Sequence, residues 1–208
     1  MNISKFLLID AVLVIAAIPL LFFVSGGKRK SPFLRSSSKE ELLRKASGKL
    51  PDKEKLRELE KFSKEQGSGI EFDSIIGIWK FISIWKKDID EEDPIFSSLL
   101  RVFSAKIEFK KDLLIENSTE LSVIASIQFG LFSIGFSGTG YLKGKQPLLP
   151  FCLNLIELKA GSNILLRRSL KEQDDKEKSF FAMIALEEND EFLSARAQGG
   201  EVVIWLKD

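Results

Sequence analysis

The 208 residues carry 31 Lys or Arg against 30 Asp or Glu, a net charge of +1, and 44 % of them are hydrophobic, enough for one domain with a sizeable core. There is no His, which excludes Ser-His-Asp and Cys-His catalysis, imidazole metal sites and His-based pH switching. The single Cys, Cys152, excludes an internal disulfide and any multi-cysteine metal site, and its neighbours Leu149, Phe151 and Leu153 suggest a buried apolar thiol.

The charge is unevenly spread: residues 25–66 have a net charge of +6 and residues 67–208 a net charge of −5. A basic stretch beside an apolar one suits an anionic membrane surface. An acidic domain argues against nucleic acid as a partner.

From the N-terminus, residues 6–24 are apolar apart from Asp10, and 14 of these 19 are Leu, Ile, Val or Phe. As a helix they would span about 28 Å, close to the ~30 Å hydrocarbon core of a bilayer. Residues 1–24 are therefore expected to form a transmembrane anchor. Lys5 precedes the span and Lys28, Arg29 and Lys30 follow it, so the positive-inside rule places the C-terminal domain on the cytoplasmic or stromal side. A cleaved signal peptide fits less well, because no A-x-A site is present and the basic cluster lies on the wrong side. Asp10 is a candidate intramembrane contact to a partner helix, or a carboxylate that reaches the interface or Lys5.

Residues 25–38 hold Gly26-Gly27, Ser31-Pro32 and Ser36-Ser37-Ser38 and read as a flexible linker. Residues 39–66 read as a helical segment. Ser38-Lys39-Glu40-Glu41 has the form of a capping box for a short helix to about Ser47. Pro51 suits the first turn of a second helix, which Gly67 stops, with Leu56, Leu59 and Phe62 as its apolar stripe.

Residues 67–208 read as an antiparallel β domain. Its first strand, over 75–86, is rich in β-branched and aromatic residues. Strict alternation would put Trp79, Phe81 and Trp85 on one face and Ile78, Ile82 and Ile84 on the other. Alternation recurs over 121–129 and 132–137, and further strands are expected over 101–110, 149–158, 163–170, 179–187, 191–196 and 201–207, with a short one over 113–117. Regular short strands with frequent turns suggest a sandwich or barrel.

No motif in the chain carries a reaction. Asp88 to Asp93 lacks the Gly and Glu of a calcium loop. Gly138 to Gln146 has the wrong spacing for a phosphate loop and Gln where Ser or Thr would hold magnesium. Gly135 to Thr139 misses the nucleophile elbow. The expectation is no catalytic residue, no metal and no cofactor. If the barrel closes, Gly77 and Trp79 on its first strand come near Arg196, whose guanidinium could lie over the Trp79 ring. Trp79, Trp85, Phe129, Phe132 and Phe136 are the candidates to line an interior that holds a hydrophobic ligand, or simply to fill it.

Taken in order, Lys39-Glu40-Glu41-Leu42-Leu43, Gly77-Ile78-Trp79, and Arg196 with Gly199-Gly200 and Val202 to Lys207 resemble the plastid lipid-associated proteins, or fibrillins. The resemblance covers about 39–208. It implies a lipocalin-like barrel at a thylakoid-type photosynthetic membrane, with an isoprenoid, quinone or lipid as ligand. The complete expectation is a mainly β, antiparallel lipocalin-like barrel preceded by two short helices and one N-terminal transmembrane helix. Its function would be to bind such a ligand, or to serve as a non-catalytic subunit or assembly factor of a photosynthetic membrane complex. Membrane lipid is the other expected partner.

Overall fold

The computed structural model describes residues 51–87, 91–111, 120–145, 147–170, 178–187 and 192–208. The expected anchor over 6–24 with Asp10, the linker over 25–38, the helix over 39–47 and the short strand over 113–117 lie outside these residues.

Helix α1 spans Lys53–Gln66. Asp52 caps it by accepting from Lys55 N at 2.7 Å, and Gly67, at φ 95°, ends it with its N–H on the Ser63 carbonyl. A 3-10 turn at Asp73–Ile75 leads into β1, Gly77–Trp85. Helix α2 follows at Pro94–Val102, then β2 (Lys106–Lys111), β3 (Glu120–Phe129), β4 (Phe132–Tyr141), β5 (Leu148–Ala160), β6 (Asn163–Ser169), β7 (Ser179–Glu187), β8 (Phe192–Ala197) and β9 (Val202–Lys207).

The nine strands form one antiparallel sheet in the order β4-β3-β2-β1-β9-β8-β7-β5-β6, and β4 also bonds β5. The pairings therefore run in a circuit from which only β6 is left out. Two cores result. The inner one gathers Ile75, Trp79, Phe109, Leu121, Leu149, Phe181, Leu193 and Trp205, with Ile70 and Phe72 packed against it from the segment before β1. The outer one lies beneath α1, where Leu56 meets Ile82, Ile184, Phe192, Val202, Ile204 and Leu206.

The expected lipocalin-like barrel is corrected on two points. The far edge of β5 is divided, with β7 paired at Leu148–Phe151 and β6 at Leu155–Ala160, so β6 branches outward. Strand β1 pairs with β2 only as far as Lys80. Among the described residues, no helix is long and apolar enough to cross a membrane. The single-pass localisation and thylakoid placement rested on that anchor and on the family resemblance, and the structure supports neither.

Helix α2 occupies the place where β2 leaves β1. Asp93 caps it, Oδ1 accepting from Ile95 N and Phe96 N at 3.1 Å, and Pro94 supplies the first turn. Its side chains take over hydrogen bonds that a strand would have made: Ser97 Oγ accepts from Ile84 N at 3.0 Å, and Arg101 Nη1 donates to the Ile82 carbonyl at 2.6 Å. Ile82 sits at a register shift between Phe81 and Ser83. A bulge inserts one residue and so exchanges the faces beyond it. Trp79, Phe81 and Ile84 accordingly pack on the inner core, while Ile82 and Trp85 belong to the outer one.

Candidate functional site: an open apolar face

Three cross-strand rows organise the inner face of β3, β4 and β5. Ala125 pairs with Phe136 and Phe136 with Ile156. Ile127 pairs with Ile134, and Ile134 with Leu158, which in turn pairs with Leu166 of β6. Phe129 pairs with Phe132, and Phe132 with Ala160. Side chains directly opposite on an antiparallel pair share a face, so each row is a continuous apolar strip.

Burial falls from row to row. Phe136 is buried, Ile127, Ile134 and Leu158 are half-buried, and Phe129 and Phe132 are about half exposed at 50 % and 51 %. Leu131, in the turn between them, is 78 % exposed, and Ile164, Leu165 and Leu166 on β6 are exposed as well. The two hairpin tips are held together, with Gly161 N donating to the Leu131 carbonyl at 2.7 Å. Contiguous exposed apolar surface of this kind marks an interaction site more often than solvent-facing structure.

Where the rows dive beneath α2 they reach a cavity of about 70 Å³. Its walls include Phe81, Leu100, Ile107, Val123, Phe136, Phe151, Leu153 and Phe181, and they are almost wholly apolar. The backbone of the α2 exit joins the face, because Gln128 N donates to the Phe103 carbonyl at 2.7 Å and the Phe103 and Phe129 rings meet edge to face at 5.8 Å. A close approach of β4 to β5 shapes the other wall. A Cβ on Gly138 would collide with the Cys152 carbonyl, so glycine is required at that register shift.

The expected lining residues are scattered. Phe136 alone among them lines the cavity. Trp79 is fully buried in the inner core, its Nε1 donating to the Ile75 carbonyl at 2.7 Å. Trp85 lies in the outer core and donates to Ser83 Oγ at 2.9 Å. Phe129 and Phe132 stand at the exposed rim. Cys152 is a free thiol, half-buried rather than buried.

The proposed ring contact at β1 is also reassigned. Gly77, at φ 137°, begins β1 opposite Phe109, and β1 pairs with β9. The cation over Trp79 is Lys207, its Nζ 5.5 Å from the ring centroid. Arg196 sits between Ala195 and Ala197, both buried against the inner core, and so projects to the outer face. There its Nε donates to Glu60 Oε1 of α1 at 2.7 Å, and Nη2 donates to Oε2. Burial pushes the Glu60 carboxyl up, but Arg196 and Lys64 together hold it below the ordinary carboxylate value. This ion pair fastens α1 to β8 and lies on the face opposite the apolar rows.

A 70 Å³ cavity has room for the end of one aliphatic or aromatic side chain, whereas drug-sized ligands occupy roughly 300 Å³ or more. Isoprenoid, quinone and lipid ligands are too large for it, and the interior around Trp79 and Trp205 is filled by side chains. Compared with family models, with curated proteins and with solved structures, the chain matches none. The fibrillin resemblance, and the lipid-binding and photosynthetic-complex functions drawn from it, are therefore withdrawn.

Proposed function

We propose that this chain is a non-catalytic docking module whose open apolar face receives aliphatic or aromatic side chains of a partner protein. The observation that carries this reading is the uninterrupted passage from the Ala125–Phe136–Ile156 row, centred on the buried Phe136, to the exposed Phe129–Phe132 row, leading into a cavity fit for one side chain. Such anchoring of one or two apolar groups in a preformed pocket is how many interfaces concentrate their affinity.

The chemistry of the site supports a non-catalytic role. Its walls are almost wholly apolar, with Lys106 and Ser126 the polar residues among them, and the chain has no His. The one buried ionisable side chain among the described residues, Glu60, is engaged with Arg196 and Lys64 on the other face. Nucleic acid is disfavoured as partner by the net charge of −5 over 67–208.

The test replaces Phe132 in the full chain with a photoreactive benzoyl-phenylalanine and irradiates the protein in its native cell. Phe62, equally exposed but on α1, serves as the control position. The expected result is one discrete protein adduct at position 132, absent at position 62 and lost when Ile134→Asp is added. Adducts that are the same at both positions, or that survive Ile134→Asp, would overturn the proposal.

A further inference from the structure

The alternation of β2 runs past its observed start. Phe103, Ala105, Ile107 and Phe109 are buried, and the less buried Ser104, Lys106 and Glu108 lie between them, which is the pattern of one continuous strand. Yet β2 begins only at Lys106, and the chain up to Val102 is wound into α2. The backbone already holds part of the longer strand. Continued past Lys80 and Lys106, the β1–β2 register sets Ala105 opposite Phe81, and Phe81 N donates to the Ala105 carbonyl at 2.9 Å. Continued past Lys106 and Ser126, the β2–β3 register sets Phe103 opposite Phe129, and these two rings already meet. The reciprocal donor, Ala105 N, is turned instead to the Leu100 carbonyl at 2.8 Å, and Ser104 N to the Arg101 carbonyl at 3.1 Å. Those two bonds are a Schellman end to α2, a turn whose left-handed position is ordinarily glycine. Here it is Ser104 at φ 46°, the only residue other than glycine with a positive φ among the described residues. The seat of α2 is imperfect as well: Ser97 and Arg101 stand in for backbone on the edge of β1, and Arg101 Nε is buried without a partner.

We propose that Arg101–Ala105 is a two-state segment that gates the cavity. In the observed state it ends α2, and Leu100 forms part of the cavity roof. In the second state Ser104 leaves the left-handed region, Ala105 N passes from the Leu100 carbonyl to the Phe81 carbonyl, and β2 begins at Phe103. The β1 and β3 edges then receive backbone where side chains now serve. Extending Arg101 to Ser104 at about 3.3 Å per residue in place of about 1.5 Å carries Leu100 roughly 7 Å along the chain. The cavity loses that part of its roof, and with it the enclosed space for an apolar side chain. That the switch regulates docking rests on the function proposed above; the two-state segment itself does not.

NMR relaxation dispersion on the full chain without ligand tests this, with two substitutions at the exposed Ser104. Glycine relieves the left-handed strain, and β-branched valine opposes that conformation. The wild type is expected to show millisecond exchange at Arg101 to Ala105, Phe81 and Gln128, with minor-state carbon shifts of strand type. Ser104→Gly suppresses the exchange, and Ser104→Val makes the strand state the major one. Benzene, a probe of the roofed cavity, then binds Ser104→Gly as it binds the wild type and Ser104→Val at least twofold more weakly, because less than half of that variant is competent. No exchange in either the wild type or Ser104→Val, minor-state shifts of coil type, or exchange that neither substitution moves would overturn the two-state segment. Strand-type shifts in Ser104→Val with benzene affinity unchanged would overturn the gate. The exchange is read without a partner or ligand, so it fails separately from the docking reading.

Discussion

The half of the sheet beneath α1 and the half that ends in the β3–β4 and β5–β6 hairpins use strands of similar composition to opposite ends. In β7, β8 and β9 both faces are covered, one by the inner core and one by the helix, and five consecutive residues of β9, Val202 to Leu206, are buried. In β3, β4 and β5 one face looks to solvent and the other is covered for only part of its length. The first half secures the fold. The second keeps apolar area that no part of the described chain covers, and that is where binding is expected.

The largest effect should come from breaking the covered half. Trp205 is almost fully buried, with the Phe81 and Phe181 rings each 5.3 Å away edge to face. Trp205→Ala should destabilise the protein by about 3–5 kcal/mol, read as a lower urea midpoint. A loss below about 1 kcal/mol would mean that this core is not the one that holds the fold.

The clasp between helix and sheet comes next. Arg196→Met strands Glu60 beneath α1 and should cost about 2–3 kcal/mol, less than a fully buried pair because Lys64 remains as a partner at 2.8 Å. The pair also makes stability depend on pH. The folded Glu60 carboxyl is held below its unfolded value, so its contribution is fully present above the ordinary carboxylate value of 4.5 and is lost as pH falls through the lower folded value. Glu60→Gln should therefore flatten the acid limb of the stability–pH curve. An unchanged acid limb would show that the clasp carries no such contribution.

These elements differ in how legible they were. Helix α1 could be read from Pro51 and Gly67, yet its packing stripe is Leu56, Leu59, Glu60 and Ser63, with Phe62 outside it. Ser63 is buried because its hydroxyl donates to the Met183 carbonyl at 3.0 Å, a partner 120 residues away that local periodicity cannot reveal. Most strands were visible as alternation. The bulges were not: the insertion at Ile82 exchanges the faces of Ile84 and Trp85, which strict period-2 counting puts the other way. Helix α2 was missed, and part of it was expected as strand, although Asp93-Pro94 was in plain view as a cap followed by a first-turn proline. The cavity walls Phe81, Phe151 and Phe181 could not be grouped without the register of β1, β5 and β7, which are not consecutive in the chain.

A smaller effect tests α2 as the roof of the cavity. Asp93→Ala removes the oxygen that accepts from two backbone N–H groups and should cost about 1 kcal/mol. It should also speed hydrogen exchange at Ile84, whose N–H is bound by Ser97 Oγ from α2. Exchange at Ile84 unchanged while that of α2 rises would separate the helix from the strand edge.

The smallest effect belongs to the rim. Phe132→Ala should change stability by no more than about 0.5 kcal/mol, since the ring is half exposed. A loss comparable with that of Trp205→Ala would erase the distinction between the halves.

The most direct test of the open face is a methyl NMR titration of the folded protein with benzene, a probe that offers only an apolar body. The account predicts saturable shifts confined to Ile107, Val123, Ile127, Ile134 and Leu153 around the cavity and its mouth, and abolished by Ala125→Phe. Shifts centred instead on Leu56, Ile184 and Val202 beneath α1, or none at all at benzene saturation, would contradict it.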